Sequence, residues 1–152
     1  MVYIDNQFIL IRNVLSHLAR VHYRELGDYL RHIITFGEAV NIDNSRKIMF
    51  RVLKKHETGK DIILDLEMLI PVREPFESNE KHIFKPEFRL ENAIMIYHYG
   101  SIDTVLKSAD TLYTYIILNG LKVLTEPYYV VNKNDGSDSI VSIYVGLNGN
   151  IV

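Results

Sequence analysis

The sequence of 152 residues contains no cysteine and no tryptophan, and it has only four prolines and eight glycines. Without cysteine the chain forms no disulfide, thiolate metal site or cysteine nucleophile, which is compatible with a cytoplasmic location. Its uninterrupted apolar runs fall short of the ~18 residues that a membrane-spanning helix needs, and its N-terminus lacks the pattern of a signal peptide. The net charge of -2 argues against binding to a phosphate backbone. We therefore expect neither nucleic acid nor a membrane as a partner.

What the chain does contain is typical of a folded domain. Hydrophobic residues make up 47% of the sequence and charged residues 24%, which is enough apolar surface for a core and enough charge for solubility. A chain of this length is about the size of one domain. We therefore predict a single domain over residues 1–152.

The second half of the chain gives the clearest pattern of elements. Residues 90–99 are rich in branched and aromatic side chains and predict a strand, which the following glycine ends. Over residues 102–117 apolar side chains recur every three or four positions, which predicts a helix. Two strands follow, at about 123–132 and 139–147, and the turn residues between them predict an antiparallel hairpin.

The first half repeats this order of elements. It has a strand over residues 8–15, a helix whose apolar face includes Val21, Leu26 and Ile33, and two strands at about 47–54 and 62–72. The order along the whole chain therefore predicts a duplicated β-α-β-β unit.

The boundaries of the two predicted repeats follow from these elements. The first repeat covers about residues 8–72 and the second about residues 90–147. Residues 73–89 form the linker between them, and the proline-rich part, 73–86, is predicted to contain no strand. Neither unit buries its apolar faces well alone. We therefore expect an α+β fold of antiparallel sheets with pseudo-twofold symmetry, both helices packed on one side, and a cleft between the halves where a ligand could bind.

Four segments of the sequence carry a resemblance to a known family. They are residues 65–72 (Asp-Leu-Glu-Met-Leu-Ile-Pro-Val), 96–101 (Ile-Tyr-His-Tyr-Gly-Ser), 115–121 (Tyr-Ile-Ile-Leu-Asn-Gly-Leu) and 126–131 (Glu-Pro-Tyr-Tyr-Val-Val). In this order they resemble the strands and helix ends of the gyrase-inhibitor-like domain, which is also the effector-binding domain of many bacterial transcription activators. The resemblance extends over about residues 5–147.

The resemblance implies a bacterial domain that binds small, flat, often cationic organic molecules between its halves and takes part in transcription regulation. No residues remain outside the duplicated unit for a DNA-binding helix-turn-helix, so we expect a free-standing ligand sensor, sink or regulator. The family often has a carboxylate on the last strand and a proline nearby. Ser142 and Gly146 occupy those positions here, which weakens the case for cation binding and for hydrolysis.

The alternation of side chains along the strands divides the residues between two faces of the predicted sheet. Ile94, Ile96 and Ile143 are expected to face the helices. Successive residues of a strand point to opposite faces, so the residues next to these in the chain would face the cleft. Aromatic walls stack on planar ligands, and a carboxylate in such a site favours a cation. The predicted ligand-binding residues are Tyr97, Tyr99, Tyr144, Ser142, Met95, Glu67, Tyr128 and Glu126. The alternative is that the tyrosines only pack together and that the acids lie in water.

Other chemistry finds little support in the sequence. The six histidines lack the spacing that places two metal ligands on one helical face. Asp28 and His32 are four residues apart and predict a surface pair, whereas His98 has the spacing of a buried, hydrogen-bonded residue. No serine lies in a nucleophile motif, and no glycine-rich loop could hold a phosphate. We therefore assign no catalytic residue, no metal and no cofactor.

Two other functions stay open. One is a protein-binding accessory module that holds a partner chain in the cleft or on residues 73–86. The other is a small hydrolase of the same fold, in which Glu67 or Glu126 acts as the base and a tyrosine acts as the acid.

Overall fold

The computed structural model describes residues 1–37, 41–43 and 46–148. The elements in chain order are β1 (Ile4–His22), α1 (Leu26–Gly37), β2 (Met49–Thr58), β3 (Asp61–Pro71), β4 (His82–Gly100), α2 (Val105–Leu118), β5 (Tyr128–Lys133) and β6 (Ser139–Gly146). The fold is therefore α+β with antiparallel strands, as the sequence predicts. Neither described helix has the length and apolar character needed to cross a membrane.

The six strands form one closed barrel in the order β1-β3-β2-β5-β6-β4. The two predicted hairpins, β2 with β3 and β5 with β6, are present and antiparallel. β1 and β4 pair with each other along most of their length, which closes one side of the ring. On the other side β2 and β5 pair through three residues each, Met49–Arg51 with Tyr128–Val130. This short pairing is called the β2–β5 seam below.

The long strands β1 and β4 correct the predicted boundaries. β1 extends well beyond the predicted 8–15, so Val21 belongs to this strand rather than to the helix. β4 begins at His82, inside the segment predicted to lack a strand. Pro86 is tolerated in β4 because it lies opposite Asn13, whose φ of 58° interrupts the regular ladder at that point.

Each long strand contains a kink at an asparagine. Asn13 has a φ of 58° and Asn92 a φ of 50°, a left-handed conformation that asparagine adopts more readily than most residues. The carbonyl of Asn13 accepts a hydrogen bond from the backbone N–H of Val72 at 2.8 Å. The carbonyl of Asn92 accepts one from the N–H of Leu147 at 3.0 Å. After each kink the long strand runs beside the third strand of its own half of the chain.

Both helices pack on the same face of the barrel, as predicted. The buried core on this face is formed by Leu26, Leu30 and Ile33 of α1, by Val105, Ala109, Leu112 and Ile116 of α2, and by strand residues that include Phe50, Leu66, Met68, Ile94, Ile96, Val141, Ile143 and Val145. The helix-facing residues predicted from strand alternation are therefore buried where they were expected. Their apolar contacts are the main source of stability for the fold.

The face of the barrel away from the helices is partly filled. Val14, Met49 and Leu69 form a second buried cluster on this face. Ile9 and Phe88, from the paired long strands, pack against this cluster. The sequence does not predict this packing, because it indicates shorter strands than the observed β1 and β4.

Candidate functional site

A row of directly opposed residues crosses five strands on the face away from the helices. It consists of Glu67 on β3, Arg51 on β2, Tyr128 on β5, Tyr144 on β6 and Met95 on β4, each paired with the next. Directly opposed residues in antiparallel strands point to the same face of the sheet. The register therefore brings together four of the predicted site residues and adds Arg51.

Glu67 is buried and bound by three donors. Its carboxylate accepts hydrogen bonds from Ser16 Oγ at 2.6 Å, Arg51 Nε at 2.7 Å and Lys85 Nζ at 2.9 Å. Burial alone would raise the pKa of Glu67, but the hydrogen bonds from Ser16, Lys85 and Arg51 lower it to about 2. Glu67 is therefore an ionised acid that two cations already neutralise, and a carboxylate with this pKa is a poor general base near neutral pH.

Arg51 joins this buried carboxylate to an exposed one. Its Nη1 donates to Glu126 Oε2 at 2.9 Å, and the Glu126 side chain is 53% exposed, as expected for a residue at the start of a strand. A cavity of 410 Å³ opens beside this pair and is called the Arg51 cavity below. Its wall residues are Arg51, Tyr113, Val123, Leu124, Thr125, Glu126 and Tyr128.

The two tyrosines of the Arg51 cavity stay protonated over the neutral pH range. Burial, followed by the nearby Glu126 carboxylate, raises the pKa of Tyr113 to about 12. Burial also raises the pKa of Tyr128. A neutral phenol donates one hydrogen bond, and the Tyr113 hydroxyl already donates to the carbonyl oxygen of Thr125 at 3.4 Å. The Tyr128 hydroxyl is therefore the one suited to an acceptor group on a ligand.

Tyr97 and Tyr99 line a different and larger cavity. It has a volume of 650 Å³, is called the Tyr97 cavity below, and is bounded by Met1, Val2, Ile4, Tyr97, His98, Tyr99 and Ser108. The ring centroids of the two tyrosines are 6.0 Å apart and the ring planes are tilted by 40°. Tyr97 is 39% exposed and Tyr99 is 69% exposed, so both rings are open to a ligand.

His98 in the wall of the Tyr97 cavity is buried and hydrogen-bonded, as predicted. Its Nδ1 lies 2.7 Å from Ser108 Oγ, and its Nε2 lies 2.8 Å from the carbonyl oxygen of Ser101. A carbonyl oxygen only accepts, so Nε2 carries the proton in this contact. Both ring nitrogens are thus satisfied without a charged partner.

The other predicted site residues lie between the two cavities. Met95 and Ser142 are buried, and Ser142 accepts a hydrogen bond from Asn132 Nδ2 at 2.6 Å. Tyr144 is half-buried, and burial and then the neighbouring Tyr97 raise the pKa of its hydroxyl. The eight predicted residues therefore divide between the Tyr97 cavity, the Arg51 cavity and a packed layer, in place of the single predicted cleft.

Sequence reasoning missed Arg51 and Lys85, the two cations that bind Glu67. Arg51 alternates with the buried Phe50 and the partly buried Val52 on β2, and it lies directly opposite Glu67 on the same side. Lys85 falls in the segment that was predicted to be a linker. The usable signal was Glu67 itself, because a carboxylate on a buried face needs cationic or hydrogen-bonding partners.

The histidine and acidic side chains form no metal site within residues 1–37, 41–43 and 46–148. Asp28 and His32 do meet, but through the backbone: His32 Nδ1 lies 3.0 Å from the carbonyl oxygen of Asp28. The Asp28 carboxylate pairs instead with Arg31.

Several solved structures share this fold. The C-terminal domain of EcmrR aligns with a TM-score of 0.66 and 17% identity, over 97% of this chain and 99% of that domain. EcmrR in an EcmrR–DNA complex aligns with the same score and 16% identity, over 95% of this chain and 57% of that chain, so this chain spans a little over half of it. A hydrolase from Listeria innocua aligns with a TM-score of 0.50 and 9% identity, over 94% of this chain and 91% of that one.

These similarities concern the fold. No family model and no curated protein sequence matches this chain. This chain shares its architecture with the C-terminal domain of EcmrR. At the level of the fold, this confirms the resemblance to the effector-binding domain that the sequence indicates.

Proposed function

We propose that this chain is a small-molecule-binding domain, that its ligand site is the Tyr97 cavity, and that it acts as a free-standing ligand sensor, sink or regulator. The observation that carries the proposal is the pair of open tyrosine rings on a cavity of 650 Å³.

The wall chemistry indicates a planar organic ligand. Tyrosine faces attract flat aromatic molecules, and a contact between a ring face and a cation contributes roughly 0.5–2 kcal/mol. None of the described wall residues of the Tyr97 cavity is a carboxylate, and both predicted acids, Glu67 and Glu126, are bound to Arg51. Recognition in this cavity therefore depends on ring faces and apolar contact, with a modest preference for a cation over a neutral compound of equal shape.

A role in transcription regulation is supported by the shared fold. EcmrR has this architecture in its C-terminal domain and is found in a complex with DNA. In our proposal this chain contributes the ligand-dependent part of such a response. Gel-shift assays with ligand present and absent would test whether this chain itself contacts DNA.

We also propose that residues 8–72 and 90–147 are two copies of one unit around an approximate twofold axis. The kinks at Asn13 and Asn92, 79 positions apart, support this proposal because each accepts a hydrogen bond from the end of its own third strand. Two short turns, Tyr23–Glu25 and Ile102–Thr104, are also 79 positions apart and precede the two helices. The Tyr97 cavity then belongs mainly to the second copy.

The proposal predicts that planar aromatic compounds stabilise the protein. At a free concentration 100 times the dissociation constant, a ligand adds about 2.7 kcal/mol to the free energy of unfolding. For a chain of this size that corresponds to a rise in Tm of roughly 5–10 °C. Suitable probes are proflavine as a planar cation, acridone as a planar neutral compound and tetramethylammonium as a cation without a ring. We expect shifts with the first two and none with the third.

The double variant Tyr97→Ala with Tyr99→Ala locates the site. We expect it to lose the thermal shift while its own Tm stays close to that of the wild type, because both side chains are substantially exposed. Tyr23→Ala is a matched control, since Tyr23 stacks on His22 away from this cavity. Unfolding of the double variant would mean that the tyrosines serve packing. An absence of any shift in the wild type would favour the protein-binding module instead.

A further inference from the structure

The Arg51 cavity differs from the Tyr97 cavity because its wall contains a cation held by two acids of very different exposure. The side chain of Glu67 is 8% exposed and that of Glu126 is 53% exposed. Arg51 binds the first through Nε and the second through Nη1, so one side of the guanidinium faces the interior and the other faces the cavity.

The inner contact is fixed and the outer contact is exchangeable. Glu67 is held by Ser16 and Lys85 as well as by Arg51, and its own side chain is buried. Glu126 has one described charged partner, and an exposed pair of this kind contributes no more than about 1 kcal/mol. A carboxylate from a ligand can therefore take the place of Glu126 on Arg51 at small cost.

The balance of charges around Arg51 favours an anionic ligand. Arg51 and Lys85 carry two positive charges, and Glu67 and Glu126 carry two negative ones. When Glu126 turns outward into water, Arg51, Lys85 and Glu67 together carry a net charge of plus one. A ligand carboxylate on Arg51 then restores neutrality. A cationic ligand would have to compete with Arg51 for an acid that is already paired.

The rest of the cavity suits a flat aromatic body. Tyr113 and Tyr128 are half-buried walls, and Tyr128 is held edge-on by Phe88 with ring centroids 5.0 Å apart. Val123 and Leu124 form an exposed apolar rim. The guanidinium offers parallel N–H donors that match a carboxylate, and the protonated Tyr128 hydroxyl offers a further donor.

We propose that the Arg51 cavity binds an aromatic carboxylate, whose carboxylate replaces that of Glu126 on Arg51, so that Glu126 acts as a built-in competitor for the site. The proposed ligand is therefore an anion, whereas the sequence predicts that a carboxylate such as Glu126 favours a cation. The proposal does not depend on ligand binding at the Tyr97 cavity.

The experiment measures binding of 2-naphthoate by isothermal titration calorimetry to the wild type and to Glu126→Gln. Removing the competing charge is expected to tighten binding about three- to fivefold, the equivalent of an exposed ion pair. In the double variant Tyr97→Ala with Tyr99→Ala, which removes binding at the Tyr97 cavity, the neutral isostere 2-naphthamide is expected to bind at least about tenfold more weakly than 2-naphthoate, because it loses the charge-assisted pair with Arg51. Weaker binding of 2-naphthoate to Glu126→Gln would overturn the proposal, and so would equal binding of the acid and the amide to the double variant.

Two further variants place the ligand. Arg51→Lys keeps a positive charge beside Glu67 but loses the forked donors, and we expect it to weaken 2-naphthoate binding at least about tenfold. If Arg51→Lys does not fold, the Glu126→Gln and amide results still decide the question. Tyr97→Ala with Tyr99→Ala is expected to leave 2-naphthoate binding unchanged; loss of binding in that variant would assign the acid to the Tyr97 cavity and contradict the proposal. A wild type that does not bind 2-naphthoate at millimolar concentration would contradict it as well.

Discussion

Replacing Glu67 with alanine is expected to lower the free energy of unfolding by about 3 kcal/mol. The substitution leaves Arg51 and Lys85 beside a buried site with no carboxylate, and Ser16 loses its acceptor. Both cations are partly exposed, so water relieves some of the cost, and we expect a value at the lower end for a broken buried pair. Urea unfolding followed by circular dichroism measures the change.

Glu126→Gln is the matched control for this prediction. It removes the other carboxylate of the same arginine, but from an exposed position, and we expect a loss of no more than about 1 kcal/mol. Equal free energies of unfolding for the two variants would contradict the prediction, because they would show that burial does not make Glu67 contribute more to stability than Glu126.

The lowered pKa of Glu67 also predicts how stability depends on pH. Its pKa is about 2 in the folded protein against an ordinary value of 4.5, so below pH 4.5 the unfolded chain binds more protons than the folded one. The contribution of Glu67 is complete above pH 4.5 and is lost as the pH falls towards 2. Glu67→Gln is expected to show a shallower fall in this range. Asp65, whose pKa Arg20 and His56 also lower, titrates in the same direction, so Asp65→Asn is measured in parallel.

Replacing Phe50 with alanine is expected to cost about 3 to 5 kcal/mol. Phe50 is fully buried and stacks on Tyr129, with ring centroids 4.8 Å apart and an interplanar angle of 9°. The two residues are also directly opposed in the β2–β5 seam, the shortest pairing in the barrel. The substitution therefore removes core contacts and weakens the ring at the same place.

Phe8→Ala makes the same change on an exposed part of β1 and serves as the control. We expect it to change the free energy of unfolding by no more than about 0.5 kcal/mol. Amide hydrogen exchange adds a local measurement, since Phe50→Ala is expected to speed exchange at Tyr129 and Val131 more than at Ile143 in β6. Uniform acceleration along all strands would show that the seam does not open separately.

Local periodicity made part of the fold predictable. The apolar spacing over residues 102–117 identified the buried face of α2, because a helix repeats every 3.6 residues whatever surrounds it. The alternation in β4 and β6 likewise placed Ile94, Ile96 and Ile143 in the core. These features depend on near neighbours in the chain, which a single sequence contains.

The closed ring and the divided site depend on pairing between distant segments. Pro86 argued against a strand, and only the register with Asn13 shows why β4 tolerates it. In the same way, Glu67 meets Lys85 and Arg51 through three different strands, and a register shift of one residue would turn each of these side chains to the other face. Sequence alone identified the acid but not its partners.

Closure of the barrel also limits how this protein can associate. Each of the six described strands has a neighbour on both sides, but β2 pairs with β5 only through Met49–Arg51, so the rest of β2 has β3 as its one described partner strand. A peptide or another copy could therefore add a strand only along such partly paired segments. Elsewhere a partner protein would have to recognise side chains on the outer surface, or enter where only three residue pairs hold the ring together.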